Sequence, residues 1–477
     1  MADFRKIFNF IPEVKSPEEK KVDFNTKLKW TLIILGAFFI LMNIPLFGLS
    51  SNALARFEYL ATILGTDFGS IISLGIGPIV MASIILQLLA GAQIINIDTS
   101  TEEGKKFFTG LQKLLTFFFI LFEAIVFVMM QGLQANPGFA GIVILQLILG
   151  GLAIFYMDDV MQKWGFGSGV SLFIAAGVSL RLFTSAFQFL GTDAATGGVV
   201  LRYSGKVFVF IQSIIDKDTI GATAALAALL ATVIIFLIVV WAQSLKVEIP
   251  LSFGRIRGYG VKWPLSFFYA GVMPIILTAA LMAQVQMFGG IFENAAASCL
   301  IEGGACVGTA KVASWFTWMG HFVNGRAVSG LAFWVSSNNL LDLTIRGGIL
   351  PQFLLQGLTH ILTFVVLSTL FAVLWVQTSG QSSKEQAKKI ASSGLQVAGF
   401  RQDTRILESI LDRYIMPLTI MGGAAIGLLA SLTNLLGALV SGTSILLVIM
   451  IMFQFYQNIA QQHAEDMNPM MRKFMGG

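Results

Sequence analysis

Apolar residues arrive along this chain in ten long blocks, each near the length of one bilayer crossing and separated by polar runs. The blocks lie near 30–49, 75–95, 113–132, 139–157, 168–190, 219–243, 264–288, 352–376, 414–434 and 438–460. A hydrocarbon layer about 30 Å thick is crossed by about 20 apolar residues of helix. Lipid offers the backbone no hydrogen bonds, so the helix must satisfy its own. The pattern predicts an all-α integral membrane protein with about ten transmembrane helices. Ten spans divide into five and five. An odd number per half turns the second half upside down relative to the first, which is the arithmetic of an inverted repeat. The expected organisation is an N-terminal segment 1–29, a first five-helix half 30–205, a second half 206–460 and a tail 461–477.

Composition supports the pattern. The 477 residues are 56% hydrophobic and 12% charged, about half the ~25% charge of a soluble chain. Such a chain cannot cover a water-facing surface of this size. The 48 glycines suit helices packed closely in lipid.

Charge placement orients the spans. With the N-terminus cytosolic, twenty-three of the thirty-one basic residues fall in cytosolic segments, as the positive-inside rule requires. Both termini are then cytosolic. Two cytosolic loops are long, 244–263 and 377–413, and one external segment, 289–351, is longer still. Trp315, Trp318 and Trp334 in that segment suit the membrane interface, either as an ordered cap or as an open loop. In residues 1–29, Phe4, Ile7, Phe8 and Ile11 recur at helical spacing, which predicts an amphipathic helix on the cytosolic surface. These residues lack the apolar core of a cleavable signal peptide, so the first span is expected to target the chain.

Candidate chemistry is sparse. Gly205-Lys206 is followed by Val207 and preceded by Val200 where a phosphate loop needs its first glycine. The run Gly165-Phe166-Gly167-Ser168-Gly169 leads into a span and follows no strand. Three histidines (His321, His360 and His463) and two cysteines give no zinc framework, and no cofactor is expected. Glu123 is the one carboxylate well inside a span. Pumps and coupled carriers need more titratable machinery than this, so a structural or gating contact fits it better. Residues 50–74 are too short and too mixed to cross. Within them Phe57–Phe68 fits a short helix, followed by Gly75-Ile76-Gly77-Pro78 as a hinge into a full span, with proline in its first turn. A broken helix at membrane depth is tolerated where it lines a cavity.

The run Leu74-Gly75-Ile76-Gly77-Pro78-Ile79-Val80, followed by Leu86-Gln87-Leu88-Leu89, resembles the second-span motif of the SecY-type protein translocation channels, the archaeal branch above all. So do Gly165 to Gly177, Pro250 to Gly260, Asn324-Gly325-Arg326-Ala327-Val328 and Gly399-Phe400-Arg401, in the family's order over nearly the whole chain. The resemblance implies a central pore between the two inverted halves. It implies a waist of Ile76, Val80, Val170, Ile174, Ile276 and Leu447, and a plug carrying Phe57, Leu60, Ile63, Leu64 and Phe68. It implies a lateral gate between the second and third spans and the seventh and eighth, with Glu123 able to bridge to Gln284. Met81 stands where the family often has a further polar residue. Arg255, Arg257, Arg401 and Arg405 would dock the ribosome. The implied function is a passive, non-enzymatic channel subunit in the cell membrane. It would pass unfolded nascent polypeptides and receive signal sequences, releasing membrane segments sideways into the lipid bilayer. The implied partners are the ribosome and small single-span SecE-like (gamma) and Sec-beta-like subunits. A secondary transporter built on inverted repeats is the alternative.

Cys299 and Cys306 both fall in the external segment, where disulfides persist. Gly303 and Gly304 between them let the chain reverse, bringing the α-carbons to about 5.5 Å. Two free thiols are the alternative, because seven positions along a straight helix hold such residues about 10 Å apart. Alkylation without reduction, read by mass spectrometry, is expected to leave both cysteines unmodified. Recovery of both as alkylated thiols from protein kept oxidised rules the bridge out.

Overall fold

The computed structural model describes residues 13–18, 22–52, 66–91, 94–95, 101–130, 132–192, 199–201, 204–253, 260–301, 315–323, 326–348, 350–392, 395–397 and 404–467. Ten membrane-spanning helices form two five-helix halves. The first half comprises α1 (Phe24–Met42), α2 (Gly77–Gly91), α3 (Glu102–Met129), α4 (Ala140–Trp164) and α5 (Gly169–Phe187). A short helix, α6 (Lys206–Ile215), follows. The second half comprises α7 (Thr219–Gln243), α8 (Met273–Ile301), α11 (Pro351–Thr378), α13 (Thr404–Leu435) and α14 (Gly442–Met467). Between α8 and α11 lie the short helices α9 (Leu331–Val335) and α10 (Leu340–Ile345), and between α11 and α13 lies α12 (Ser383–Ser392). Short strands in the first half pair antiparallel, β1 (Leu49–Asn52) with β2 (Leu133–Ala135) and β3 (Leu190–Thr192) with β4 (Val199–Leu201).

Among the described residues, nine helices are long and apolar enough to cross a membrane. The tenth, α2, has 15 residues and rises only about 22 Å. The chain before it makes up the depth as a series of turns that satisfy their own polar groups. The N–H groups of Ser70, Ser73, Gly75 and Gly77 donate to the carbonyls of Asp67, Ser70, Ile72 and Leu74 in turn. Gly69 N–H donates to Ser73 Oγ at 2.9 Å. The Ile71 N–H reaches back to Ile44 O, after α1, at 3.0 Å. Helix starts elsewhere carry the side chains that orphan N–H groups need. Thr101 caps α3 by accepting from Gly104, and Asp218 caps α7 by accepting from Gly221.

The halves meet along two seams. On one, α2 packs against α8 and α11; on the other, α5 packs against α14. Within the first half α1 lies on α4 and α5, with Phe38 stacked on Phe173 at 4.9 Å between ring centres. Within the second, α11 and α13 pack closely because Gly423 and Gly427 expose backbone. A Cβ on Gly427 would meet Phe364 O at 2.7 Å.

Several expected boundaries move. The N-terminal segment ends sooner, since α1 begins at Phe24, while the helical face of Phe4, Ile7, Phe8 and Ile11 lies outside the described residues. The seventh span is displaced toward the C-terminus. Residues 264–266 belong to a strand, and α8 runs on to Ile301, thirteen residues into the segment expected to be external. Likewise α14 continues to Met467, past the expected start of the tail. The rest of the segment expected to be external is ordered in its described parts. A hairpin of β7 (His321–Val323) and β8 (Arg326–Ser329) runs into α9 and α10. Trp315, Trp318 and Trp334 are exposed there.

The two long polar loops, 244–263 and 377–413, are joined in one sheet. Strand β5 (Lys246–Phe253) pairs antiparallel with β6 (Gly260–Ser266) and, at Leu251–Phe253, with β9 (Leu395–Val397). This sheet and α12 cover a second buried cluster that includes Ile249, Leu265, Ile390 and Leu411.

Candidate functional site

The six residues expected at the waist come from four helices, two in each half: Ile76 and Val80 on and just before α2, Val170 and Ile174 on α5, Ile276 on α8, and Leu447 on α14. All are buried, between 0% and 7% exposed, and all belong to one continuous apolar cluster. Each helix delivers its residues close to its own N-terminus. The Val80 N–H donates to Ile76 O at 3.0 Å, so the ring position opens the first turn of α2. Phe68, expected in the plug, is buried in the same cluster. Phe57, Leu60, Ile63 and Leu64 lie outside the described residues.

Beside this waist a cavity of about 140 Å³ opens between the starts of α5 and α8 and the later turns of α14. Ser168, Ser171, Gln381, Gln454 and Asn458 give it a polar wall. The sequence reading missed it, because its lining is scattered over four segments. Tyr269 steadies one side: its hydroxyl donates to Gln381 O at 2.7 Å. Burial pushes that phenol up to about 12, so it stays a donor at physiological pH.

On the seam between α2 and α8, Glu123 of α3 and Gln284 of α8 both approach Gly77. A Cβ on Gly77 would sit 2.8 Å from Gln284 Nε2 and 3.1 Å from Glu123 Oε2. Both side chains are almost fully buried. The bridge expected between them is not formed: neither carboxylate oxygen of Glu123 and neither amide atom of Gln284 has a hydrogen-bond partner among the described residues. Met81, one turn on, is partly buried against the apolar cluster. A polar pair left unsatisfied in an apolar interior carries a standing cost, so the seam is held together by packing rather than by bonding.

Where α3 and α4 meet the chain that precedes α1, the extended residues 13–15 are tied down. Glu13 meets Lys113 of α3 at 2.9 Å, and Lys163 of α4 meets Asp159 at 3.0 Å. Val14 N–H donates to Asp159 Oδ2 at 3.0 Å. Only the Asp159–Lys163 spacing of four was visible in the sequence. Of the expected docking arginines, Arg405 is exposed in the first turn of α13, and Arg255, Arg257 and Arg401 lie outside the described residues. Cys306 lies outside them too. Cys299 falls in the last turns of α8, where its side chain is not described, so the pairing is not placed. Among the described residues no group of acidic, histidine and cysteine side chains could hold a metal ion.

The tight approach at Gly77 gives a direct test. Gly77→Ala places a methyl against the far ends of Gln284 and Glu123, which are free to swing aside. The thermal unfolding temperature in detergent is therefore expected to change little, whereas Gly427→Ala, whose Cβ would meet the Phe364 carbonyl oxygen at 2.7 Å, is expected to lower it clearly while the helical content is kept.

Comparison with known proteins adds to this geometry. A family model described as SecY matches residues 70–456. The protein translocase subunit SecY of Methanothermobacter thermautotrophicus is 41% identical over 99% of this chain and 98% of its own. That of Methanocaldococcus jannaschii is 35% identical over 98% of each. Among solved structures, one described as a protein-conducting channel superposes with a TM-score of 0.78 at 34% identity, covering 96% of this chain and 97% of that one. Sec61 of the canine ribosome–channel complex from the endoplasmic reticulum superposes with a TM-score of 0.75 at 33% identity, covering 96% and 97%.

Proposed function

The chain belongs to the SecY family of protein-conducting channels, and from that premise we propose how its residues perform translocation. The observation that carries the reading is the gathering of Ile76, Val80, Val170, Ile174, Ile276 and Leu447 into one buried cluster drawn from both halves. An apolar constriction sheds water and so blocks ions. It also makes no directional hydrogen bonds, so an unfolded chain of any sequence slides past it. The segment that holds Phe57, Leu60, Ile63, Leu64 and Phe68 plugs the waist from outside. The polar cavity at the starts of α5 and α8 is part of the cytosolic approach. The seam at Gly77, Glu123 and Gln284 is the lateral gate through which an apolar segment leaves for lipid. No step requires a covalent intermediate or cofactor. The secondary-transporter alternative gains no support from the comparisons.

The distribution of basic residues supports a multi-pass protein of the cell membrane with both termini cytosolic. It needs an external driving force, which we assign to a translating ribosome. Small single-span SecE-like and Sec-beta-like subunits complete the channel. Arg255, Arg257, Arg401 and Arg405 stand on the two loops that the β5–β6–β9 sheet joins, and guanidinium groups suit the phosphates of ribosomal RNA.

Two experiments test this reading. A stalled nascent chain is expected to crosslink to single-cysteine variants at Ile76, Ile174, Ile276 and Leu447, and not to a cysteine placed at lipid-facing Leu237. Crosslinking at Leu237 alone sinks the pore assignment. Charge reversal of the four arginines to glutamate is expected to abolish ribosome cosedimentation in low salt without loss of assembled protein. Undiminished binding would place the dock elsewhere.

A further inference from the structure

The two halves hold their ring helices by the same pair of devices. In the first half the chain leading into α2 presses its Ile71 carbonyl onto α4 at Gly150, where a Cβ would lie 1.9 Å from Ile71 O. In the second half the chain leading into α8 presses its Phe267 carbonyl onto α13 at Gly422, where a Cβ would lie 2.5 Å from Phe267 O. Four residues after each of these carbonyls comes a glycine with positive φ, Gly75 at 53° and Gly271 at 69°. Each of these glycines donates its N–H to the carbonyl three residues back. Three residues later comes a proline, Pro78 or Pro274, and two residues after it the ring residue, Val80 or Ile276.

The second device acts on the other ring helix of each half. Helix α5 opens Ser168-Gly169-Val170-Ser171, and α14 opens Ser441-Gly442-Thr443-Ser444. Each leading serine accepts from the N–H of the serine three residues on. Each glycine lies against the same helix that seats the partner: a Cβ on Gly169 would meet Asp158 of α4, and one on Gly442 would meet Thr433 of α13. The N–H of the next residue then donates to a side chain of that helix. Val170 N–H donates to Asp158 Oδ1 at 3.0 Å, and Thr443 N–H donates to Asn434 Oδ1 at 2.9 Å. Four residues beyond each donor stands a ring residue, Ile174 or Leu447.

We propose that α4 and α13, which contribute nothing to the waist, are the yokes that set it, with Asp158 and Asn434 as equivalent positioning residues. The proposal rests on the reading of the ring given above. Each yoke fixes one ring helix by a carbonyl seated on glycine and the other by a side-chain acceptor on its second N–H. The distances along the chain from these anchors to the ring are the same in both halves, nine residues and four. The closed seal is therefore a property of two rigid three-helix units, and the apolar side chains only fill the position the units give them. Asp158 is itself held: Gln162 Nε2 donates to its other oxygen at 2.8 Å. Asn434 is held by its amide, whose Nδ2 lies 3.3 Å from His360 Nε2. The halves differ in one respect. Seat and cap are eight residues apart on α4 (Gly150 and Asp158) and twelve apart on α13 (Gly422 and Asn434). The second yoke is longer by about one helical turn, or ~6 Å.

The test is resting ion conductance of the complete channel complex in planar bilayers, at matched assembly and thermal stability. Asp158→Leu and Asn434→Leu remove the acceptor and are each expected to raise the resting conductance about tenfold, as loss of a buried hydrogen bond shifts the closed–open balance. Asp158→Asn and Asn434→Asp keep the accepting oxygen and are expected to remain sealed. Gln146→Leu removes two bonds between α4 and the Phe47 backbone without touching a ring helix, and is expected to remain sealed. Ile276→Asn, in the ring itself, is the reference leak. If Ile276→Asn leaks while Asp158→Leu and Asn434→Leu do not, the yokes are overturned and the ring stands. If Ile276→Asn is silent, the ring reading falls and the yokes with it. Should a leucine variant fail to assemble, Asp158→Ser and Asn434→Ala leave smaller disturbances and are judged by the same comparison. A leak from Gln146→Leu equal to theirs also overturns the proposal.

Discussion

Hydrocarbon gives a backbone nothing to bond to, and that single constraint shapes every part of this molecule. It makes the spans helical and demands that any interruption satisfy itself. The lead-in to α2 is the severest case, because it runs without helix at membrane depth. It survives through a ladder of short turns, a serine that fills the gap at Gly69, and a bond back to Ile44. The starts of α5 and α14 are buried rather than placed in headgroups, so their N–H groups take side-chain acceptors from neighbouring helices. An exception among the described side chains is the pair Glu123 and Gln284, on the seam between α2 and α8. A bonded pair there would tie the halves together, whereas an unbonded pair leaves the seam to packing.

Packing is uneven in a way that suits movement of large blocks. Contacts inside each half bring backbone against backbone through glycines, as at Gly150, Gly422, Gly423 and Gly427. Such contacts have no slack, since nothing but backbone can shift. The seam along α2 instead places long side chains, Gln284 and Glu123, against a single glycine. A boundary made of rotatable side chains separates more readily than one made of main chain.

The spans were legible because length and apolar content leave one solution in lipid. Three things were not legible. The sheet of β5, β6 and β9 joins segments more than a hundred residues apart, and β9 has only three residues. Helix α6 is shorter than a crossing and lies between the fifth and sixth apolar blocks. The last turns of α8 include Glu293, Asn294 and Ser298 in sequence, so hydropathy falls before the helix ends. The waist residues are ordinary branched aliphatics at helical spacing, and only the family resemblance singled them out. The repeat between halves was hidden for a numerical reason. The Gly-x-x-Pro-Ile segments are 196 residues apart and the Ser-Gly-x-Ser segments 273 apart. Unequal loops between matching helices mean that no single offset aligns both.

The sheet that escaped the sequence reading has a mechanical consequence. Both of the loops it joins leave and re-enter the second half alone, one between α7 and α8 and the other between α11 and α13. A load hung on either loop is shared through β5 before it reaches any span. A force on either loop is therefore delivered to the second half as a single lever.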